Sequence, residues 1–123
     1  MIAEELINQM IPALKITDTA EKAIIWMEEL KTNQLPVIDG RTFRGLISED
    51  IILEKNNLDT KIGEYTLIGE HCFVYDTQHL FDIIKMSQEC SLELVAIVDE
   101  NNEFLGVSSY EDTLKSFSNT SLI

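Results

Sequence analysis

Apolar positions along the chain alternate between two periods. Ala20, Ala23, Ile24, Met27 and Leu30 fall at the spacing of one helical face, so a half-buried helix is predicted there. The run Leu35-Pro36-Val37-Ile38 that follows is too short and too β-branched for a helix and reads as a buried strand. The turn signal Asp39-Gly40-Arg41 returns the chain to extended structure at Phe43, which is a hairpin pattern. A closing helix is predicted over 49–56. The same order recurs later. Phe73-Val74-Tyr75 is extended, Leu80, Ile83, Ile84 and Ser87 mark a helix, Leu94 to Val98 a strand, Phe104 onward its partner, and 110–118 a closing helix. Asp18-Thr19 and Asp76-Thr77 stand where side-chain oxygens would cap the opening helices.

The recurrence extends to residue identity. Asp18-Thr19 returns after 58 residues, Ile24-Ile25 with Met27 after 59, Leu35 to Asp39 after 60, and Phe43 to Ser48 after 61. Four blocks in one order indicate a duplicated unit of about 60 residues, each copy too small to bury its core comfortably alone. The expected halves are residues 1–60, led by an amphipathic segment (Ile2, Leu6, Ile7, Met10) that Pro12 stops, and residues 61–123, which begin with a linker.

Composition narrows the function. An apolar share of 45% excludes intrinsic disorder, and a net charge of −13 disfavours nucleic acid and anionic membranes. The charge divides as −4 over residues 1–61 and −9 over 62–123, where Lys85 and Lys115 are the only Lys or Arg. Cys72 and Cys90 match neither a disulfide framework nor a metal cluster, and His71 and His79 lack zinc-site spacing. The opening MIAEELINQM carries two Glu and no basic stretch, unlike a secretory signal, so a reduced cytoplasmic protein is expected. No nucleophile elbow, phosphate loop or metalloprotease motif is present, so no catalytic residues are assigned and no enzyme is expected.

One segment combines suitable chemistry with a suitable place. Ser109-Tyr110-Glu111-Asp112 follows a Gly-containing strand and opens a helix. A capping box accounts for Ser109 and Asp112, and so does a site in which a carboxylate accepts two hydrogen bonds from a ribose diol.

Both copies resemble CBS domains, and the chain is similar to a tandem CBS pair (a Bateman module). The resemblance rests on Asp18-Thr19, Leu35-Pro36-Val37-Ile38-Asp39 and Gly45-Leu46-Ile47-Ser48 in the first copy. In the second it rests on Asp76-Thr77, Ala96-Ile97-Val98-Asp99 and Gly106 through Asp112. It covers roughly residues 1–118, as in a small stand-alone protein. It implies an α/β (α+β) fold, two β-α-β-β-α repeats related by a pseudo-two-fold axis, assembling as a disc-like homodimer. It further implies a regulatory module that needs no cofactor or metal. Such a module binds an adenosyl compound such as AMP, ADP, ATP or S-adenosylmethionine between its repeats and signals to a protein partner. In the family pattern a Gly is followed by Ser or Thr and then Asp. The resemblance therefore assigns Asp112 to the ribose, Ser109 beside it, and Thr77, Leu92 and Leu94 to the adenine side.

In the first copy Ser48 fits that pattern, but Ile51 stands at the Asp position, and Asp50 is about 100° away on a helix. Asp82 and Glu93 add negative charge to the second copy. Only Arg41, Arg44, His71 and His79 are available as phosphate partners, so S-adenosylmethionine suits the electrostatics better than ATP. The alternative is a ligand-free structural or dimerisation module.

Overall fold

Two three-stranded sheets organise the chain, one per repeat, each in the order first, second, third strand. The computed structural model describes residues 1–121. The first repeat contains β1 (Leu14–Lys15), α1 (Ala20–Leu30), β2 (Gln34–Asp39), β3 (Thr42–Ser48) and α2 (Glu49–Lys55). The second contains β4 (Phe73–Tyr75), α3 (Leu80–Cys90), β5 (Leu94–Val98), β6 (Phe104–Ser109) and α4 (Tyr110–Ser121). In each, a helical crossover makes the first two strands parallel, and a tight turn makes the last two antiparallel.

Burial follows the strand period of two. Val95 and Ile97 of β5 face α3, packing with Leu80 and Ile83, while Leu94, Ala96 and Val98 face the first repeat and meet Phe43 and Leu46. Phe43 and Phe104 stack across the junction with ring centroids 5.9 Å apart. Every residue of β5 is therefore buried. Burying a side chain of this size contributes about 1.5–3 kcal/mol.

Pro36 sits in a central strand, where a missing N–H would ordinarily break the ladder. Here it faces Leu46, whose N–H and C=O both turn outward to Ile68 at 2.7 and 3.0 Å. On the other side β1 pairs only with Val37 and Ile38, so no partner requires the missing donor.

The repeat offset is steadier than residue identity suggests. Asp18 Oδ2 accepts from the Lys15 N–H at 2.8 Å, and Gln78 Oε1 accepts from the Tyr75 N–H at 2.7 Å. Asp18 thus corresponds to Gln78, and Thr19 to His79, an offset of 60. It becomes 61 only after the hairpin, because Ile38 pairs with Phe43 but Val98 with Phe104, one residue further on. The expectation that Asp76-Thr77 opens the second helix is overturned: α3 is capped by His79, whose Nδ1 accepts from the Phe81 N–H at 3.1 Å. Thr19 does cap α1, accepting from the Lys22 N–H at 3.3 Å.

The lead-in also differs from expectation. It is a single 3-10 turn, Ala3–Leu6, not a helix running to Pro12, and Ala3 and Leu6 are buried in the second repeat's core. The Ala3 and Glu4 N–H groups donate to Gln78 and Asp76, and the Asn8 N–H donates to Val107 at 2.8 Å. The linker does the same for the first repeat. Ile62 and Gly63 donate to Asp18 and Ile16, and Tyr65 is buried in that core. Each repeat is thus completed by the segment that precedes the other.

The two cysteines are joined, contrary to the sequence expectation. Cys72 and Cys90 form a disulfide with Cα atoms 6.4 Å apart. They lie 18 positions apart along the chain, across β4 and α3, and the fold returns the end of α3 to the linker. No helix among the described residues is long and apolar enough to cross a membrane.

Candidate functional site

Five of the six assigned residues lie around two equivalent strand ends. In the second repeat Leu94 and Ser109 are cross-strand partners, and the Tyr110 N–H donates to the Glu93 carbonyl at 2.8 Å, drawing the start of α4 onto the start of β5. Ser109 Oγ accepts from the Asp112 N–H at 3.0 Å, while Thr113 Oγ1 donates to the Ser109 carbonyl at 2.9 Å. A buried Ser108–Thr113 hydroxyl pair, 2.8 Å apart, locks this turn from beneath. The cap expected at Ser109 is present, without the reciprocal half of a capping box among the described residues. The exposed Asp112 carboxylate instead accepts from Asn8 Nδ2 at 3.5 Å, across 104 positions of sequence.

The first repeat copies the frame without the carboxylate. Ser48 Oγ accepts from the Ile51 N–H at 3.4 Å, and the Glu49 N–H donates to Asn33 at 2.9 Å. Ile51 occupies the position of Asp112 and packs against the core of the first repeat. At the offset of 60, Ile68 takes the position of Asn8, and Ile51 and Ile68 line one cleft. A polar pair in the second repeat is replaced by an apolar pair in the first.

Leu92 and Leu94 are nearly inaccessible, 9% and 3% exposed, with side chains in the core between the repeats. The Leu92 N–H donates to the Ser87 carbonyl at 3.0 Å. Its own carbonyl accepts a close hydrogen bond from Ser87 Oγ. Both main-chain groups of Leu92 are therefore in use, and it offers a ligand an apolar wall. The recess beside it, lined by Ser91, Leu92, Glu93 and Tyr110, holds about 190 Å³. That is less than the roughly 300 Å³ typical of small-molecule sites.

Thr77 stands apart. β4 runs parallel to β5, so Thr77 lies beyond the β5 end opposite Ser109. There it lines an open depression of about 550 Å³ with Asp76, Asp99 and Glu100. The structure does not bring it to Asp112.

The cations are dispersed. Arg41 pairs with Glu103 at 3.4 Å, Arg44 lines a cleft with Tyr65 and Glu70, His71 lines another with Phe43 and Phe73, and His79 caps α3. Lys115, one turn along α4, pairs with Glu111 at 3.3 Å. Among the described residues no cluster of His, Cys, Asp or Glu could hold a metal ion. Asn8, Ser108 and Thr113 were not legible as site residues, because their roles depend on contacts that local sequence does not show.

This arrangement defines a class of protein: a duplicated α+β unit with a hydroxyl and a carboxylate on the helix turn that follows a repeat's last strand. The chain has the fold of a CBS-domain pair. Solved structures similar to it include a CBS domain pair/ACT domain protein from Thermotoga maritima, with a TM-score of 0.86 and 21% identity over 98% of both chains. CBSX2 in complex with AMP matches with a TM-score of 0.78 and 18% identity, again over 98% of both chains. The CBS domains of a transcriptional regulator from Streptococcus pneumoniae match at 0.79 and 18%, covering 94% of this chain and 98% of that one. No family model matches the sequence. The uncharacterized protein MJ1232 of Methanocaldococcus jannaschii is 29% identical over 81 residues, 65% of this chain. The match spans 27% of the length of that relative.

Proposed function

We propose that this chain is a regulatory module that binds an adenosyl compound of low negative charge at the second repeat, with Asp112 accepting from the ribose hydroxyls and Ser109 beside it. The observation that carries the reading is the Asn8–Asp112 pair, which holds an exposed carboxylate on a turn fixed by Ser108, Ser109 and Thr113. The AMP held by one structure of this fold supports the ligand class. Glu93, Glu111 and Asp112 favour S-adenosylmethionine over AMP or ADP, because each added phosphate charge is repelled. The module acts by binding and not by catalysis: a ligand seated between the repeats shifts their packing, and a protein partner reads the shift. It works as a homodimer through the outer helix faces, where Ile25, Leu53 and Phe81 are 45%, 56% and 53% exposed.

Isothermal titration of S-adenosylmethionine, AMP and ADP against the wild type and Asp112→Ala tests the site. Losing charge-assisted hydrogen bonds should weaken binding by roughly 10- to 100-fold. Equal affinity for both proteins would remove Asp112 from the site.

One observation favours a second reading, a ligand-free module for assembly. Leu92 is fully satisfied internally and the adjoining recess is small. A thermal-shift screen showing no stabilisation by any adenosyl compound would select that reading, since ligand at 100 times its Kd adds about 2.7 kcal/mol.

A further inference from the structure

The disulfide ties together two segments that meet at Leu92. Cys72 ends a turn whose N–H donates back to the Gly69 carbonyl at 3.0 Å. Gly69 has φ +72°, and a Cβ there would stand 2.6 Å from Leu92 Cδ1, so the turn is shaped around the Leu92 side chain. Cys90 is the last residue of α3, two positions before Leu92, whose main chain is held by Ser87 of the same helix. From Leu92 the chain passes directly to Glu93, which holds Tyr110, and to Leu94, which pairs with Ser109. The cross-link is therefore one short step from the start of α4 and Asp112. The first repeat has Pro12 and Leu30 at the two cysteine positions, so only the second repeat can be clamped in this way. Both cysteines are only partly buried.

We propose that the Cys72–Cys90 bond is a redox latch on the second-repeat site. Oxidised, it seats Leu92 against Gly69 and pre-organises the strand end that carries Ser109 and Asp112. Reduced, it frees the 69–72 turn from α3 and loosens that strand end. The reductant is a thiol. Two electrons and two protons pass to the disulfide, giving Cys72–SH and Cys90–SH, while two thiols of the reductant become its own disulfide. Because linkage is reciprocal, bound ligand protects the bond by the same factor by which oxidation tightens binding.

This inference rests on the reading that the site takes an adenosyl ligand, and its test separates the two. S-adenosylmethionine and AMP are titrated into oxidised protein, into protein reduced with dithiothreitol and kept anaerobic, and into the Cys72→Ser/Cys90→Ser variant. The expected result is about a tenfold loss of affinity in both disulfide-free forms. Ligand should correspondingly shift the two-electron midpoint about 30 mV lower. Equal affinity across the three forms, or two free thiols by titration in air-oxidised protein, overturns the latch. If neither compound binds any form, the ligand reading fails, and hydrogen exchange decides the latch alone. Faster exchange at 69–72 and 92–94 on reduction supports it, and unchanged exchange overturns it. Reduced wild type serves as the control should the double variant fold poorly. It should melt about 10 °C below the oxidised protein.

Discussion

At the first turn after its last strand, one repeat presents Ile51 and the other Asp112. At the matching position of the segment closing each sheet, one has Ile68 and the other Asn8. The backbone around the two pairs is the same: a Ser caps the helix and the next residue donates back across the strand pair. The difference shows that the frame is a packing solution first. Its end can be filled with apolar side chains at no cost to the architecture, and a polar pair placed there is an addition to the fold, not a requirement of it. The charge follows the same division, with the more acidic half carrying the polar pair.

The comparison can be broken most sharply at the glycines of the third strands. Gly45 has φ +127°, and a Cβ there would lie 2.8 Å from the Ile68 carbonyl oxygen. Gly45→Ala should destabilise by roughly 4 kcal/mol in urea unfolding, from strain and a backbone clash together. Gly106→Ala meets only the Ile7 side chain, at 2.5 Å, and should cost about 1–2 kcal/mol as that side chain moves. Equal costs would show that the closing segments are held alike.

Leu6→Ala should remove about 3 kcal/mol, because Leu6 completes the second repeat's core from outside that repeat. Hydrogen exchange should then rise in α3 before α1. Ile51→Asp should cost about 2 kcal/mol, the penalty for a half-buried carboxylate without partners. Adding Ile68→Asn should recover about 1 kcal/mol in a double-mutant cycle, and no coupling would mean that the first frame cannot hold such a pair.

The smallest effect concerns pH. Burial raises the Asp18 carboxyl, but the Lys15 N–H and Lys22 more than offset it, so the group lies below the ordinary carboxylate range. Its contribution is therefore present above about pH 4, the unfolded value, and is lost as pH falls through the lower folded value. Asp18→Asn should flatten this part of the acid limb of stability. Gln78, which makes the same bond with an amide, should give no such dependence when replaced by Asn.

Most of the fold was legible because β-branched runs and helical spacing are local signals. Leu94 to Val98 read as a buried strand and is one. The helix starts were misaligned because Gln78 does the work of Asp18 with a different functional group, while Asp76-Thr77 repeats two letters without repeating a role. Ser109 was readable as a cap from its neighbours. Asn8, Thr113 and the Cys72–Cys90 bond were not, since each depends on which distant segments the packing brings together.

The crossed closing segments also set an order of events during synthesis. Asn8 leaves the ribosome about 100 residues ahead of Val107, the carbonyl it must reach. At 5–20 residues per second, Ala3 and Leu6 wait roughly 5–20 s for the core they will fill. The first repeat waits far less, because Ile62 and Tyr65 follow directly behind it. The nascent chain therefore completes the half bearing Ile51 first, and the half bearing Asp112 closes last, around the segment made earliest.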